Sequence, residues 1–274
     1  MIDEWSDPRS VPGRRPTEQV KRSGGAPVHA QAGHLKHAPI IEALIDLKVE
    51  FPPGVGLEQL AAVQARFRSE YPDRRNRIGW AGRFELGDET APPVVPEKRI
   101  DGYYFQAPGR NRIVQLRLDG FAVHWMRPYD TWDALLEETR ARWYDVRQEL
   151  NPVRVTKIAV RYINRIDVPM PVTHLQDWLL TSPEVAPALG RPMSQFFMQI
   201  TLPFPEKGAN CVVSQAVERD REGFAGFIFD IDVTRAHEFA VEADTIWRCL
   251  GDLRAIKNEV FFKSITPKTK RLFE

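Results

Sequence analysis

The chain has 274 residues, 43% hydrophobic and 27% charged, with a formal net charge of +1. This is the composition of an ordinary globular protein and excludes the disordered and membrane classes, since no apolar run approaches the roughly 20 residues that span a bilayer. A near-neutral chain also exerts no general attraction on nucleic acids or acidic membranes.

Residues 1–36 read as a disordered basic tail. They are rich in Pro, Gly and charge, and from Pro8 to Lys36 six Lys/Arg residues stand against Glu18 alone. The stretch has no apolar signal-peptide core, so the expected location is cytoplasmic. Two cysteines, Cys211 and Cys249, have neither metal-ligand nor redox spacing and read as buried or half-buried thiols.

Order is expected from Ala38. Between Ile40 and Phe51, Ile41, Ala43, Ile45, Leu47, Val49 and Phe51 share one face of a strand, with Glu42, Leu44, Asp46, Lys48 and Glu50 on the other. Leu57, Leu60, Gln64, Phe67 and Tyr71 then recur at helical spacing up to Pro72. Residues 73–100 read mainly as loop, with a short extra strand around Phe84 and Leu86. Three antiparallel strands follow at Tyr103 to Gln106, Ile113 to Asp119 and Phe121 to Met126, with Asp119-Gly120 as a turn. A long helix capped by Asp130 or Thr131 carries the stripe Trp132, Leu135, Leu136, Thr139, Trp143, Val146 and Leu150, and Asn151-Pro152 ends it.

The order then recurs. A long strand runs from Val155 to Val168 and a short helix from Leu175 to Leu180. Strands follow at Gln195 to Leu202, Cys211 to Glu218 and Phe224 to Val233, then a long helix capped by Asp244. The prediction is an α+β body pseudo-duplicated as strand, helix, three strands, long helix. Its halves are residues 37–152 and 153–274, with curved antiparallel sheet and helices packed on one face. The halves form one compact body or two tightly packed subdomains.

Three separated segments carry a resemblance. They are His37-Ala38-Pro39-Ile40-Ile41-Glu42-Ala43, Arg161-Tyr162-Ile163-Asn164-Arg165-Ile166 and Phe261-Phe262-Lys263-Ser264-Ile265-Thr266. Together, in order and spacing over Lys36 to Phe273, they resemble a sporadically distributed prokaryotic family of uncharacterised proteins. Its marks are N-terminal Pro-Ile-x-Glu-Ala, central Arg-Tyr-x-Asn-Arg and C-terminal Phe-x-x-Ser-Ile-Thr. Here His37-Ala38 stands where the family usually has Asn-Pro. The patchy distribution implies an accessory gene of mobile or defence-related loci, and no established activity.

The candidate site comes from the polar strand faces. Arg161, Arg165 and Asp167 share one face of their strand, while Tyr162 and Asn164 lie on the apolar side. Glu42, Arg161, Asn164 and Arg165 are the ligand- or partner-binding candidates. An arginine fork suits phosphate or carboxylate, and a ladder of cross-strand ion pairs is the structural alternative. Asp230 and Asp232 alternate on one strand and are weak metal candidates. Ser264 and Lys268 lack the glycine-flanked elbow of a nucleophile, and His124 reads as a satisfied structural histidine. No zinc spacing and no glycine-rich phosphate loop occurs, so no cofactor is implied.

Three readings stay open. The first is a non-enzymatic binding or accessory protein that engages a protein partner or a small charged ligand. The second is a metal-dependent enzyme acting on a phosphate-bearing or nucleotide substrate. The third is a nucleic-acid binder using the basic tail.

Overall fold

The computed structural model describes residues 35–81, 97–191 and 193–274, of which Leu35–Glu274 form one unit. Nearly all of the expected tail and the strand suggested at Phe84 and Leu86 lie outside the described residues.

Period-two alternation becomes strand β1 (Ile40–Glu50), with Ala43, Ile45, Leu47 and Val49 at most 3% exposed. A short helix α1 (Leu57–Ala62) follows and tightens into a 3-10 turn before Tyr71. Strands β2 (Asp73–Ala81), β3 (Glu97–Gln106), β4 (Arg112–Arg117) and β5 (Gly120–Met126) lead to helix α2 (Trp132–Leu150). Thr131 caps α2 by accepting from the Ala134 N–H at 3.2 Å. Asn151 ends it in the left-handed region, at φ 46°. The remainder is β6 (Arg154–Pro169), β7 (Phe197–Phe204), β8 (Ala209–Arg221), β9 (Phe224–Phe239), α3 (Asp244–Ser264) and α4 (Pro267–Lys270).

The nine strands form one antiparallel sheet in the order β2-β3-β4-β5-β1-β6-β9-β8-β7. The join between the two groups of strands is β1 against β6, from Ile40↔Asn164 to Glu50↔Arg154. The predicted halves therefore contribute to one sheet. Helices α2 and α3 both cover the face carrying Ile45, Ile158 and Phe229, and their buried stripes meet it in one core. Two cation–π contacts tie the helices side by side, Arg140 over Trp247 and Arg254 over Trp132. The Trp143 indole donates to the Val241 carbonyl at 3.1 Å.

Three expectations are corrected. Residues 73–81 and 97–100 are strand rather than loop, which gives the first half four strands after its helix. Strand β2 is an edge strand exposed on both faces, so its Asp-Arg-Arg-Asn-Arg run shows no apolar alternation; its ladder to β3 supplies the order instead. The helix expected at Leu175 to Leu180 is only a 3-10 turn, Leu175–Asp177. There the C-terminal segment recruits the backbone: Leu180 N donates to Ser264 O, Thr266 N donates to Trp178 O, and Leu179 bridges Ile265. Asp244 is not a cap but the first residue of α3, with Ala243 at the N-cap.

The three segments behind the family resemblance meet at one end of the sheet. His37 N donates to Phe273 O, Arg165 N donates to Pro39 O, and Ile40 pairs with Asn164. Thr266 caps α4 and donates to the Asp177 carbonyl. Much of that signature fastens residues 37–40 and the C-terminal segment to the sheet.

Candidate functional site

The face of the sheet opposite the helices is open and polar. A cavity of about 430 Å³ lies on it, lined among others by Asp46, Arg77, Arg117, Lys157, Arg161 and Asp232. Leu44 and Ala159 form part of its floor, Ala159 standing directly beside Asp46 in the β1–β6 register. A small residue there keeps the space over the strand free.

One wall is a chain of hydrogen bonds. Arg77 Nε and Arg117 Nη1 approach the Gln115 amide at 2.7 and 3.3 Å. Guanidiniums only donate, so the Gln115 oxygen faces them and its nitrogen faces His124. That nitrogen donates to His124 Nε2 at 2.8 Å, and His124 Nδ1 then donates to Glu42 Oε1 at 2.8 Å. The His124 hydrogen bond pulls the Glu42 carboxyl below its usual range against the opposing effect of burial, helped by the charge of Arg161. His124 is thus satisfied at both nitrogens, as read from sequence, but on the polar face.

Arg117 crosses the sheet to Asp46 at 2.6 Å and reaches Asp119 at 3.4 Å. Gly120 permits this, because a Cβ there would collide with the Arg117 guanidinium and lie 2.8 Å from the Leu47 carbonyl oxygen. Burial opposes the Arg117 charge, but Asp46 and Asp119 outweigh it and hold its pKa above the ordinary value.

The opposite wall carries Arg161 and Asp232. The Arg161 fork is already occupied: Nε and Nη2 both donate to Asp230, at 2.9 and 2.6 Å. This pair is the structural alternative realised, and Asp230 raises the Arg161 pKa through that bond. Arg165 likewise pairs with Asp167 at 2.9 Å and is not among the cavity-lining residues. Asn164 is buried on the helix side and donates to the Phe229 carbonyl at 3.0 Å, which satisfies the amide. Glu42 touches the cavity only through His124.

What remains unpaired is informative. Asp101, paired with Arg77 through its other oxygen, keeps a buried Oδ1 with no hydrogen-bond partner, and so does Asp232, which has no ion pair among the described residues. Burial raises the Asp232 pKa, Arg161 and Lys157 oppose that, and Asp230 and Asp46 add to it. Lys48 and Lys157 stand directly opposite each other in the β1–β6 register and both line the cavity. Sequence reasoning placed Lys48 on this face. It passed over Lys157, though period two from Arg161 puts Lys157 and Ala159 beside it.

Arg161 holds Asp230, while Asp232 has no ion pair among the described residues. Among the described residues no group of three or more His, Cys, Asp or Glu side chains could hold a metal. Ser264 and Thr181 hydroxyls are bonded at 3.2 Å, a structural contact. Burial pushes the Cys211 thiol up to about 12, which leaves it unreactive. No described helix is long and apolar enough to cross a membrane.

The helix-covered face also holds ionisable groups. Glu138 of α2 faces the Trp125 indole N–H and shares a hydrogen bond with the Tyr71 hydroxyl; burial pushes its carboxyl up to about 7. The Lys257 amine of α3 sits 3.9 Å from the Tyr162 ring centre, and burial, with Arg254 nearby, pushes it down to about 7. The Tyr162 and Tyr129 hydroxyls are bonded to each other at 2.9 Å.

No family model matches the chain, and neither a curated protein nor a solved structure matches it.

Proposed function

We propose that the protein is a non-enzymatic binding protein whose open sheet face holds a small charged ligand. The observation that carries this reading is the partnerless, buried Asp232 oxygen on the wall of a cavity whose other charges are mostly paired. A buried acceptor without a donor costs about 1–3 kcal/mol, which a bound donor would recover. The binding residues under this reading are Asp232, Lys157, Lys48 and Arg161, with Glu42 holding His124 in place.

The sequence resemblance joins this proposal: membership of the sporadic prokaryotic family, an accessory locus and descent of the two strand groups from one duplicated unit. The unit would be a strand followed by strands and a long helix, with the two first strands, β1 and β6, paired at the centre.

Native mass spectrometry of the full-length protein, purified gently from its own host, tests the reading. A small-molecule mass excess is expected, lost in the Lys157→Gln/Asp232→Asn variant. An identical excess in both proteins would place the ligand elsewhere and end the proposal.

A further inference from the structure

The cavity's unpaired groups specify a ligand chemistry, given that the cavity is a ligand site as proposed above. Lys48 and Lys157 are directly opposite on neighbouring strands, and like charges in that relation destabilise a sheet. The Lys157 amine has only a longer-range attraction to Asp232, and the Lys48 amine has no hydrogen bond or ion pair among the described residues. The surrounding face pairs its other charges: Arg77 with Asp101, Arg117 with Asp46, Arg161 with Asp230. An anion between the two amines would turn the repulsion into attraction. A phosphate monoester carries about −1.5 to −2 charges near neutral pH and so matches two ammonium groups, where a carboxylate would neutralise one.

Asp232 sets the second requirement. Its buried oxygen needs a donor, and the raised pKa of the carboxyl fits a neutral one. A ligand ammonium is disfavoured because the two lining cations without an ion-pair partner among the described residues, Lys48 and Lys157, stand in the same cavity. A hydroxyl satisfies the oxygen without adding charge, and Thr234 adds a further hydroxyl contact on that wall.

The third requirement is what the cavity lacks. Leu44 and Ala159 form part of its floor, and the one ring among the described lining residues, His124, has both nitrogens engaged. Among the described residues a nucleobase would find no aromatic platform to stack on. A volume of about 430 Å³ holds a phosphate and a short polyol.

We infer that this cavity binds a polyhydroxylated phosphate monoester of the sugar-phosphate class, with the phosphate between Lys48 and Lys157 and a hydroxyl donating to Asp232. Isothermal titration of the full-length protein with ribose 5-phosphate, glucose 6-phosphate, inorganic phosphate, ribose, AMP and glutamate tests it. At least one sugar phosphate should bind about tenfold or more tightly than inorganic phosphate, ribose or AMP. Lys48→Gln and Lys157→Gln should each weaken it by about tenfold with the circular dichroism unchanged. Asp232→Asn should remove the advantage over inorganic phosphate while leaving phosphate itself bound. If glutamate or AMP binds best and the binding is lost in Lys157→Gln, the sugar-phosphate class is wrong while the cavity remains a ligand site. If no probe binds, or binding ignores the lysine variants, the inference fails, and binding that ignores them overturns the cavity assignment as well.

Discussion

The two faces of this sheet treat charge in opposite ways. On the open face, most ionised groups are held by partners: Glu42 is pulled down by the His124 hydrogen bond, and Arg161 is raised by Asp230. Under the helices burial outweighs the partners: Glu138 moves up to about 7 despite the Trp125 and Tyr71 hydrogen bonds and Arg112 3.6 Å away, and Lys257 moves down to about 7 over the Tyr162 ring. Asp232 breaks this division. It sits on the open face yet is shifted chiefly by burial, with an oxygen left unbonded. A group that behaves like the wrong face is where a missing partner belongs.

The contrast can be broken most forcefully from the covered side. Trp143, 1% exposed, packs on Phe121 with ring centres 5.6 Å apart. Trp143→Ala should cost about 4 kcal/mol in urea denaturation, more than any single charge on the open face. A smaller loss than that of Arg161→Ala would mean the core is not where stability lies.

Glu138 gives the next effect. Its folded pKa of about 7 lies above the ordinary 4.5, so between these values the folded state holds the extra proton. Stability should therefore fall as pH rises from about 4.5 to about 7, by up to about 3 kcal/mol. Glu138→Gln mimics the protonated form, accepting from Trp125 and donating to Tyr71. Its unfolding free energy should match the parent at pH 4.5 and exceed it at pH 8. Parallel pH profiles for the two proteins would contradict burial as the cause.

On the open face, Arg161→Ala strands Asp230, whose side chain is 11% exposed against 41% for Arg161. The half-exposed partner tempers the loss to about 1–2 kcal/mol. Adding Asp230→Ala should restore part of it, and a double-mutant cycle measures the coupling. Smallest is Lys48→Gln, which relieves the Lys48–Lys157 repulsion and should stabilise the ligand-free protein by about 0.5 kcal/mol, more at low salt. A loss of stability instead would show that the amines are not repelling.

The faces of β1, β6 and β9 were legible because period two over eleven or more residues leaves one register that buries Ile45, Ile158 and Phe229. Helix α2 was legible for the same reason, at a period of 3.6, with a side-chain cap at Thr131. Strand β2 was not, because an edge strand wet on both faces carries no apolar pattern. The site was half legible. Glu42 and Arg161 were placed on the correct face, but a guanidinium free in sequence turned out to be bound to Asp230. The available amines and the orphaned oxygen of Asp232 emerged only when β1, β6 and β9 were set side by side.

The sequence alone determined which side chains leave each strand toward water and which toward the core, since alternation is a local property of an extended chain. It also determined where the long helices lie, through their stripes. Only the tertiary structure decided that β1 and β6 join the two groups of strands in one sheet, and hence that Lys48 meets Lys157. Strand pairing is a contact between residues far apart in the chain, and no local periodicity encodes which strand a given strand will choose.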